Sequence, residues 1–277
     1  MQPLDTEAAR RVGKPGPTPC LRSRSLRSVP AVIDVVFLPG IILPAAIRYE
    51  PLLRALGDSV HAVTKDLEVY AADAPSRDFS IQMEVDSVAR AADGAGFERF
   101  HLYGHSGGGA VALAFAAAHT NRLLSLAVDE PAFDFLGDSG GNEDWLDIKR
   151  AASLQEPEAM RAFLGLQLAP GEPLPAPPDG PPPPWMKKRP AGIRAFVGAV
   201  ASHHVDPAAY RAFHAPVYYS YGSRSHPRWT AMKDRLADVF ENFTVERYDG
   251  LHHLNTSHQA EPDRVAAALK TLWASAR

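Results

Sequence analysis

The sequence predicts an α/β fold, a mostly parallel central sheet flanked by helices, with a helical insertion late in the chain. From residue 31 onward, short apolar runs rich in β-branched residues alternate with amphipathic helical segments, which is typical of parallel strands covered by helices. The alternation stops over residues 137–213 and resumes from residue 214. A chain of 277 residues is long enough for one large domain with an insertion.

Composition and charge exclude several classes of protein. The chain is 45% hydrophobic and 22% charged, which indicates a globular protein rather than a disordered or fibrous one. It has 29 Lys and Arg against 32 Asp and Glu and no basic run, so a nucleic-acid partner is not expected. The single Cys20, the lack of an apolar leader and the lack of a long apolar run argue against disulfides, secretion and a membrane span. We therefore expect a cytoplasmic protein.

Residues 1–30 are predicted to be a loose leader. They contain five arginines and one lysine but almost no periodic apolar residues. Arginines also occur in transit peptides, but Asp5 and Glu7 argue against one here.

The stretch from residue 31 to residue 128 predicts four strands and three helices. The strands are the apolar segments AVIDVVFL, DLEVYA, RFHLY and LLSLAV. The helices lie in RYEPLLRALG, in IQMEVDSVARAADGAG and over residues 107–118, where apolar or small residues recur at helical spacing. The first two helices end near glycine, which commonly stops a helix.

The stretch from residue 137 to residue 213 shows no convincing strand. It contains helix-like pieces around Ile148, Phe163 and Phe196, and ten of the 25 prolines of the chain. These ten prolines lie between residues 170 and 190 and predict a stiff, extended strap.

The last part of the chain returns to alternation, with strands in VYYSYG and FTVERY, each followed by a helical segment. We therefore predict a core made of residues 31–136 and 214–277. Residues 137–213 form a helical, proline-rich insertion in this prediction.

The segment RFHLYGHSGGGAVALAF contains the motif G-x-S-x-G, formed by Gly104, Ser106 and Gly108 between a predicted strand and a predicted helix. A serine at so tight a turn has a strained backbone, and its flanking positions must be small. Its hydroxyl then lies at a helix N-terminus, where backbone N–H groups stabilise a developing negative charge.

On these residues the chain resembles the α/β-hydrolase superfamily, over about residues 31–135 and 214–277. The resemblance implies an α/β-hydrolase fold with a helical cap inserted between the strands that the family counts as six and seven. It implies that Ser106 is a nucleophile, and that the backbone N–H groups of Ile41 and Gly107 form an oxyanion hole.

The resemblance also places a catalytic histidine just after the last strand. The segment DGLHHLN has two histidines there, and His253 falls on the catalytic position, with His252 one residue away as the alternative. Histidine suits this task because its unperturbed pKa lies near neutrality.

The catalytic acid departs from the commoner pattern of the family. Ser225 stands where most members carry aspartate, and serine cannot supply the charge that orients a catalytic imidazole. A known variation in the family moves the acid to the end of the preceding strand, which here reads Asp129-Glu130-Pro131. We predict Glu130 as the acid and keep Asp129 as the alternative.

The expected function is that of a cofactor-independent serine hydrolase acting on an ester, a lactone or a thioester of a small-molecule acyl substrate. His105 and Trp185 are predicted to contact the substrate, and the sequence contains no metal-ligand motif. The alternatives are a ligand-binding or sensor protein with slow or no turnover, an acyltransferase, and a carbon–carbon bond hydrolase.

Overall fold

The computed structural model describes residues 32–136, 143–153, 158–176 and 179–276. The predicted leader, residues 1–30, lies outside these ranges. Residues Val32–Arg277 form one compact unit.

Six parallel strands form one sheet in the order β2-β1-β3-β4-β5-β6. The strands are β1 Ile33–Leu38, β2 Val60–Thr64, β3 Phe100–His105, β4 Leu123–Asp129, β5 Val217–Gly222 and β6 Phe243–Tyr248. The central strand β3 is buried along its whole length, as expected where helices cover both faces of a sheet.

Ten α-helices lie in the described ranges, and they include those that cover the two faces of the sheet. They are α1 Ala45–Leu56, α2 Ile81–Gly94, α3 Gly107–Ala118, α4 Glu143–Ser153, α5 Glu158–Gly165, α6 Arg189–Ser202, α7 Pro207–Arg211, α8 Arg228–Ala237, α9 Ser257–Ala260 and α10 Pro262–Ser275. Side chains alternate along a strand, so Val35 and Phe37 of β1 pack in the cluster with α1 and α10. Val36 and Leu38 pack in the second cluster, with α2 and α3.

The element pattern confirms the predicted fold class and corrects one strand. The segment DLEVYA is not a strand, because Glu68–Tyr70 forms a 3-10 turn. The Glu84 carboxylate accepts hydrogen bonds from the backbone N–H groups of Glu68 (2.8 Å) and Val69 (2.9 Å). A side chain of α2 thus replaces a strand partner for this segment, and Val60–Thr64 pairs with β1 instead.

Helices α4 to α7 lie between β4 and β5, the fourth and fifth strands of this sheet. In the described part of residues 137–213 there is no strand, only an isolated bridge between Leu168 and Ser225. Helix α6 contacts α4, α2 and the Glu68–Tyr70 turn. Helix α6 therefore lies on the same side of the sheet as α2.

The proline-rich segment is irregular over residues 171–176 and 179–183, and it ends in a 3-10 turn, Pro184–Lys188. Glu172 accepts two hydrogen bonds from the guanidinium of Arg224, which lies in the loop after β5. The segment is thus attached to the sheet domain at this point. Within the described ranges, no helix has both the length and the apolar character needed to cross a membrane.

Candidate active site

Ser106 lies in a sharp turn between β3 and α3. Its backbone has φ 52° and ψ −117°, a conformation that is strained for a residue with a side chain. A Cβ atom on Gly104 would lie 2.3 Å from the carbonyl oxygen of Gly108, and one on Gly108 would lie 2.4 Å from the carbonyl oxygen of Leu38. Both glycines of the motif are therefore required by close backbone approach.

His253 lies in the loop after β6 and connects two of the other predicted site residues. Its Nε2 atom is 2.9 Å from Ser106 Oγ, and its Nδ1 atom is 2.7 Å from Glu130 Oε2. The imidazole stacks on the Trp229 indole, with 4.4 Å between ring centroids and 13° between planes. The sequence motifs gave no signal for this contact, which fixes the plane of the imidazole.

His252 is oriented away from Ser106. Its Nδ1 atom accepts hydrogen bonds from the backbone N–H groups of Leu254 (3.2 Å) and Asn255 (3.1 Å). The geometry therefore favours His253 over His252 as the base that faces Ser106.

Glu130 leaves β4 with a positive φ of 45°, and this conformation points its carboxylate toward His253. Its second oxygen, Oε1, accepts a hydrogen bond from the backbone N–H of Gly222 at 2.7 Å. Burial, followed by the charge of Asp129, raises the pKa of Glu130. Burial, followed by the charge of Arg228, lowers the pKa of His253, so the imidazole is neutral and able to accept a proton at neutral pH.

Asp129 faces the opposite side of β4 and is held by four donors. Its Oδ2 atom lies 3.0 Å from His105 Nδ1 and 3.3 Å from His258 Nδ1. Its Oδ1 atom accepts from the hydroxyls of Ser220 (2.5 Å) and Ser257 (3.2 Å). Burial alone would raise the pKa of Asp129, but the hydrogen bonds from His105 and His258 lower it below the usual carboxyl range.

His105, Asp129 and His258 are also the one group of three potential metal ligands among the residues that the structure describes. All three side chains are buried. His258 Nε2 is 3.0 Å from the Thr256 hydroxyl, so this group is already joined into a wider hydrogen-bond network. Its geometry is that of a structural network behind the candidate site.

The backbone N–H groups of Ile41 and Gly107 flank Ser106, and both residues line the same cavity as Ser106. Over the described residues, neither N–H group has a hydrogen-bond acceptor. Two adjacent backbone donors beside a serine hydroxyl are what an oxyanion requires.

The cavity over Ser106 is small, about 30 Å³, and is mostly apolar. It is lined by Ile41, Ser106, Gly107, Ala132, Ile148, Phe163, Gln167, Phe196, Val197, Val200 and Arg228. At its polar end the Arg228 guanidinium donates to the backbone oxygen of Leu166 (2.7 Å) and to Gln167 Oε1 (2.6 Å). Neither Gln167 nor Arg228 carried a sequence signal, because only the tertiary fold brings them to Ser106.

The two residues predicted to contact the substrate, His105 and Trp185, do not line this cavity. His105 is only 1% exposed, since its ring is turned behind the elbow toward Asp129. Trp185 is half-buried next to Arg189, whose Cζ atom lies 5.1 Å from its ring centroid. The aromatic side chains that do line the cavity come from α5 and α6.

Comparison with known proteins defines the class of protein. The model of the alpha/beta hydrolase family matches residues 35–268. The chain therefore belongs to this family, and by class it is a hydrolase. No curated protein matches the chain in sequence.

Several solved structures share the fold. MenH from S. aureus is 17% identical, with a TM-score of 0.67 over 88% of this chain and 94% of that one. A thermophilic esterase from Thermogutta terrifontis is 16% identical, with a TM-score of 0.64 over 86% and 88% of the two chains. Naproxen esterase from Bacillus subtilis is 15% identical, with a TM-score of 0.60 over 87% and 84%. At these identities the likeness extends to the fold alone.

The buried histidines predict a loss of stability in acid. Burial lowers the pKa of His105 and His258 to about 3 and that of His101 to about 4, whereas histidine in an unfolded chain titrates near about 6.5. Below that pH the unfolded chain binds protons that the folded imidazoles do not bind. Each such histidine should therefore lower the free energy of unfolding by up to about 1.4 kcal/mol per pH unit.

Urea denaturation between about pH 7 and about pH 5 measures this slope. We expect His101→Asn to reduce the slope by about 1 kcal/mol per pH unit, because His101 is buried against Ser125. The exposed His204 provides the control, and the slope of His204→Asn is compared with that of His101→Asn. Equal slopes in both variants would contradict the prediction.

Proposed function

We propose that the protein is a serine hydrolase that forms an acyl-enzyme on Ser106 and acts on an ester, a lactone or a thioester. The hydrogen-bond chain from Ser106 through His253 to Glu130 carries this proposal. Serine, histidine and a carboxylate in this order are able to activate a hydroxyl at neutral pH. The two esterases of similar fold support it by analogy.

Each residue has a role in the proposed reaction. As Ser106 Oγ attacks the acyl carbon, its proton passes to His253 Nε2, and Glu130 stabilises the resulting imidazolium through Nδ1–H. The carbonyl oxygen becomes an oxyanion that accepts hydrogen bonds from the N–H groups of Ile41 and Gly107. His253 then protonates the leaving group, and water attacks the acyl-enzyme by the same proton path in reverse.

The wall of the cavity favours a substrate with an apolar acyl group. Its apolar side chains from the insertion are Ile148, Phe163, Phe196, Val197 and Val200. We propose that residues 137–213 act as a cap, because these side chains separate Ser106 from solvent. A volume of about 30 Å³ is close to the space of a single water molecule, and we propose that the cap moves when a substrate enters.

The small cavity also favours the second candidate, a protein that binds a ligand on this scaffold and turns it over slowly or not at all. Acyltransferase and carbon–carbon bond hydrolase activities use the same serine and histidine chemistry. Product analysis with water and with an alcohol as acyl acceptor separates these reactions from hydrolysis.

The first test concerns the nucleophile and the base. A fluorophosphonate probe should label the wild-type protein, and Ser106→Ala should abolish the labelling because the probe reacts with an activated serine. His253→Ala should slow the hydrolysis of p-nitrophenyl esters by at least about 10³-fold, measured as kcat. The neighbouring variant His252→Ala serves as the control and should retain most activity. Equal labelling of wild type and Ser106→Ala would contradict the proposal.

The second test concerns the acid. Glu130→Gln keeps the shape of the side chain but removes its charge, so kcat should fall by about 10⁴-fold. Asp129→Asn should have a smaller effect on kcat, since Asp129 does not contact His253. The opposite order of the two effects would assign the acid to Asp129.

The role of the carboxylate is also tested by moving it from position 130 to position 225, where most members of the family carry aspartate. Ser225 is buried near Glu130. Burial and the charge of Asp129 raise the pKa of Glu130, and the Ser225 hydroxyl opposes part of that rise, although its oxygen does not meet the geometry of a full hydrogen bond. Glu130→Gly removes the acid, suits the positive φ and leaves space. Adding Ser225→Asp should then restore part of kcat, whereas adding Ser223→Asp as a control should not. No recovery with Ser225→Asp in a folded double variant would mean that Glu130 acts other than as a carboxylate toward His253.

A further inference from the structure

Three backbone carbonyls of the loop that follows β1 accept hydrogen bonds from other parts of the chain. Pro39 O accepts a hydrogen bond from the backbone N–H of Gly108 at 3.0 Å. Ile41 O accepts from the Tyr70 hydroxyl at 2.8 Å, and Ile42 O accepts from Arg189 Nε at 2.6 Å. The proposed oxyanion donor, Ile41 N–H, belongs to the peptide between these fastened carbonyls. That peptide is planar and is joined on each side to a peptide whose carbonyl is held, so its rotation, and with it the direction of the N–H, is restricted.

Arg189 and Tyr70 form one packed unit. The guanidinium carbon of Arg189 lies 3.8 Å from the centroid of the Tyr70 ring, a cation–π contact, and Arg189 is only 4% exposed. Such contacts are strongest where water is excluded. Burial raises the pKa of Tyr70 well above its usual value, so its hydroxyl remains a hydrogen-bond donor at every working pH.

Gly192 allows this packing. A Cβ atom there would lie 2.1 Å from Cε1 of Tyr70, so a larger residue would push the ring away from the helix. Arg189 and Gly192 are both in α6, where they lie three residues apart and so on the same face. Helix α6 therefore holds Tyr70 between an arginine and a glycine.

The same helix covers the reacting centre. Phe196, Val197 and Val200 of α6 line the cavity over Ser106. Any movement of α6 that enlarges the cavity also moves Arg189, which is buried against Tyr70 and bonded to Ile42. The position of α6 over Ser106 therefore affects the position of the oxyanion donor, Ile41 N–H.

We propose that Arg189 and Tyr70 are positioning residues that couple closure of α6 over the acyl group to the completion of the oxyanion hole at Ile41. The proposal rests on the proposed serine hydrolase function. When the acyl group is small, α6 can keep its position over Ser106, and Ile41 N–H then points at the oxyanion. A larger acyl group holds α6 away, so it still binds but reacts slowly, and selectivity for acyl size appears in kcat.

The test compares Tyr70→Phe and Arg189→Met with matched controls. Tyr210→Phe removes a buried hydroxyl that donates to a backbone oxygen, that of Asp134, at 3.1 Å. Arg122→Met removes an arginine whose Nε donates to the backbone oxygen of Glu98 at 2.8 Å, near the Phe100 ring. Both controls lie outside the cavity wall.

Tyr70→Phe and Arg189→Met should each lower kcat for a p-nitrophenyl ester by about tenfold or more, with KM changed less than about threefold, because a displaced oxyanion donor acts on the transition state. A trifluoromethyl ketone, whose adduct with serine carries an oxyanion, should bind more weakly by the same factor as kcat falls. The control variants should keep the wild-type kcat and the wild-type affinity for the ketone. Arg189→Lys, which keeps a charged donor, should fall between Arg189→Met and wild type.

The outcomes separate this inference from the function on which it rests. A wild-type protein that neither hydrolyses the ester nor reacts with a fluorophosphonate at Ser106 overturns both. Ser106-dependent hydrolysis in which Tyr70→Phe and Arg189→Met match the controls in kcat and in ketone affinity overturns the inference alone. A loss confined to KM also overturns it, because it would place these residues in substrate binding.

Discussion

The candidate site depends on the backbone conformation of the two residues that directly follow the neighbouring strands β3 and β4. Ser106 follows β3 with φ 52°, and Glu130 follows β4 with φ 45°. Left-handed conformations of residues with side chains cost about 1 kcal/mol or more each, and hydrogen bonds between the two strand ends oppose that cost. Ser106 N–H donates to Asp129 O at 3.0 Å, and Ala132 N–H donates to Ser106 O at 2.8 Å. The two turns thus hold each other, and His253 bridges their side chains.

Two adjacent carboxylates, Asp129 and Glu130, have opposite environments. Asp129 ends the regular strand, so its side chain enters the buried network of His105, His258 and two serine hydroxyls. Glu130 is beyond the strand, and its positive φ turns its side chain toward His253. When two carboxylates are buried close to each other, their repulsion separates their pKa values. Here the heavily hydrogen-bonded Asp129 keeps the lower pKa.

Much of the fold followed from periodicity alone. The helix over residues 107–118 and the strand β6 fall where the sequence predicted them, because a long helix and a bounded apolar run are strong local signals. The strand β2 was missed because VHAVT is short and half-exposed. The segment DLEVYA, which was predicted as a strand instead, satisfies its backbone through Glu84. Glu68 and Glu84 are sixteen residues apart, and a contact of this kind does not produce a periodic pattern in the sequence.

The candidate site was predictable where one local motif fixes a residue and not where only packing does. Ser106 was predicted from the turn motif, and Gly107, Glu130 and His253 were predicted from the family resemblance around that turn and two strand ends. His105 has the same neighbours in sequence, yet its ring faces away from the cavity. Trp229, Arg189 and Tyr70 reach the site from three separate elements, and such convergence exists only in the folded chain.

The central claim is that Ser106 becomes acylated during turnover. The most direct measurement is an acid quench of the protein during hydrolysis of p-nitrophenyl acetate, followed by mass spectrometry of the peptide that carries Ser106. We expect an acetyl group on Ser106, formed together with a burst of p-nitrophenol that matches the number of sites. Steady turnover with no acetyl group on Ser106, or with the acetyl group on another residue, would contradict the account.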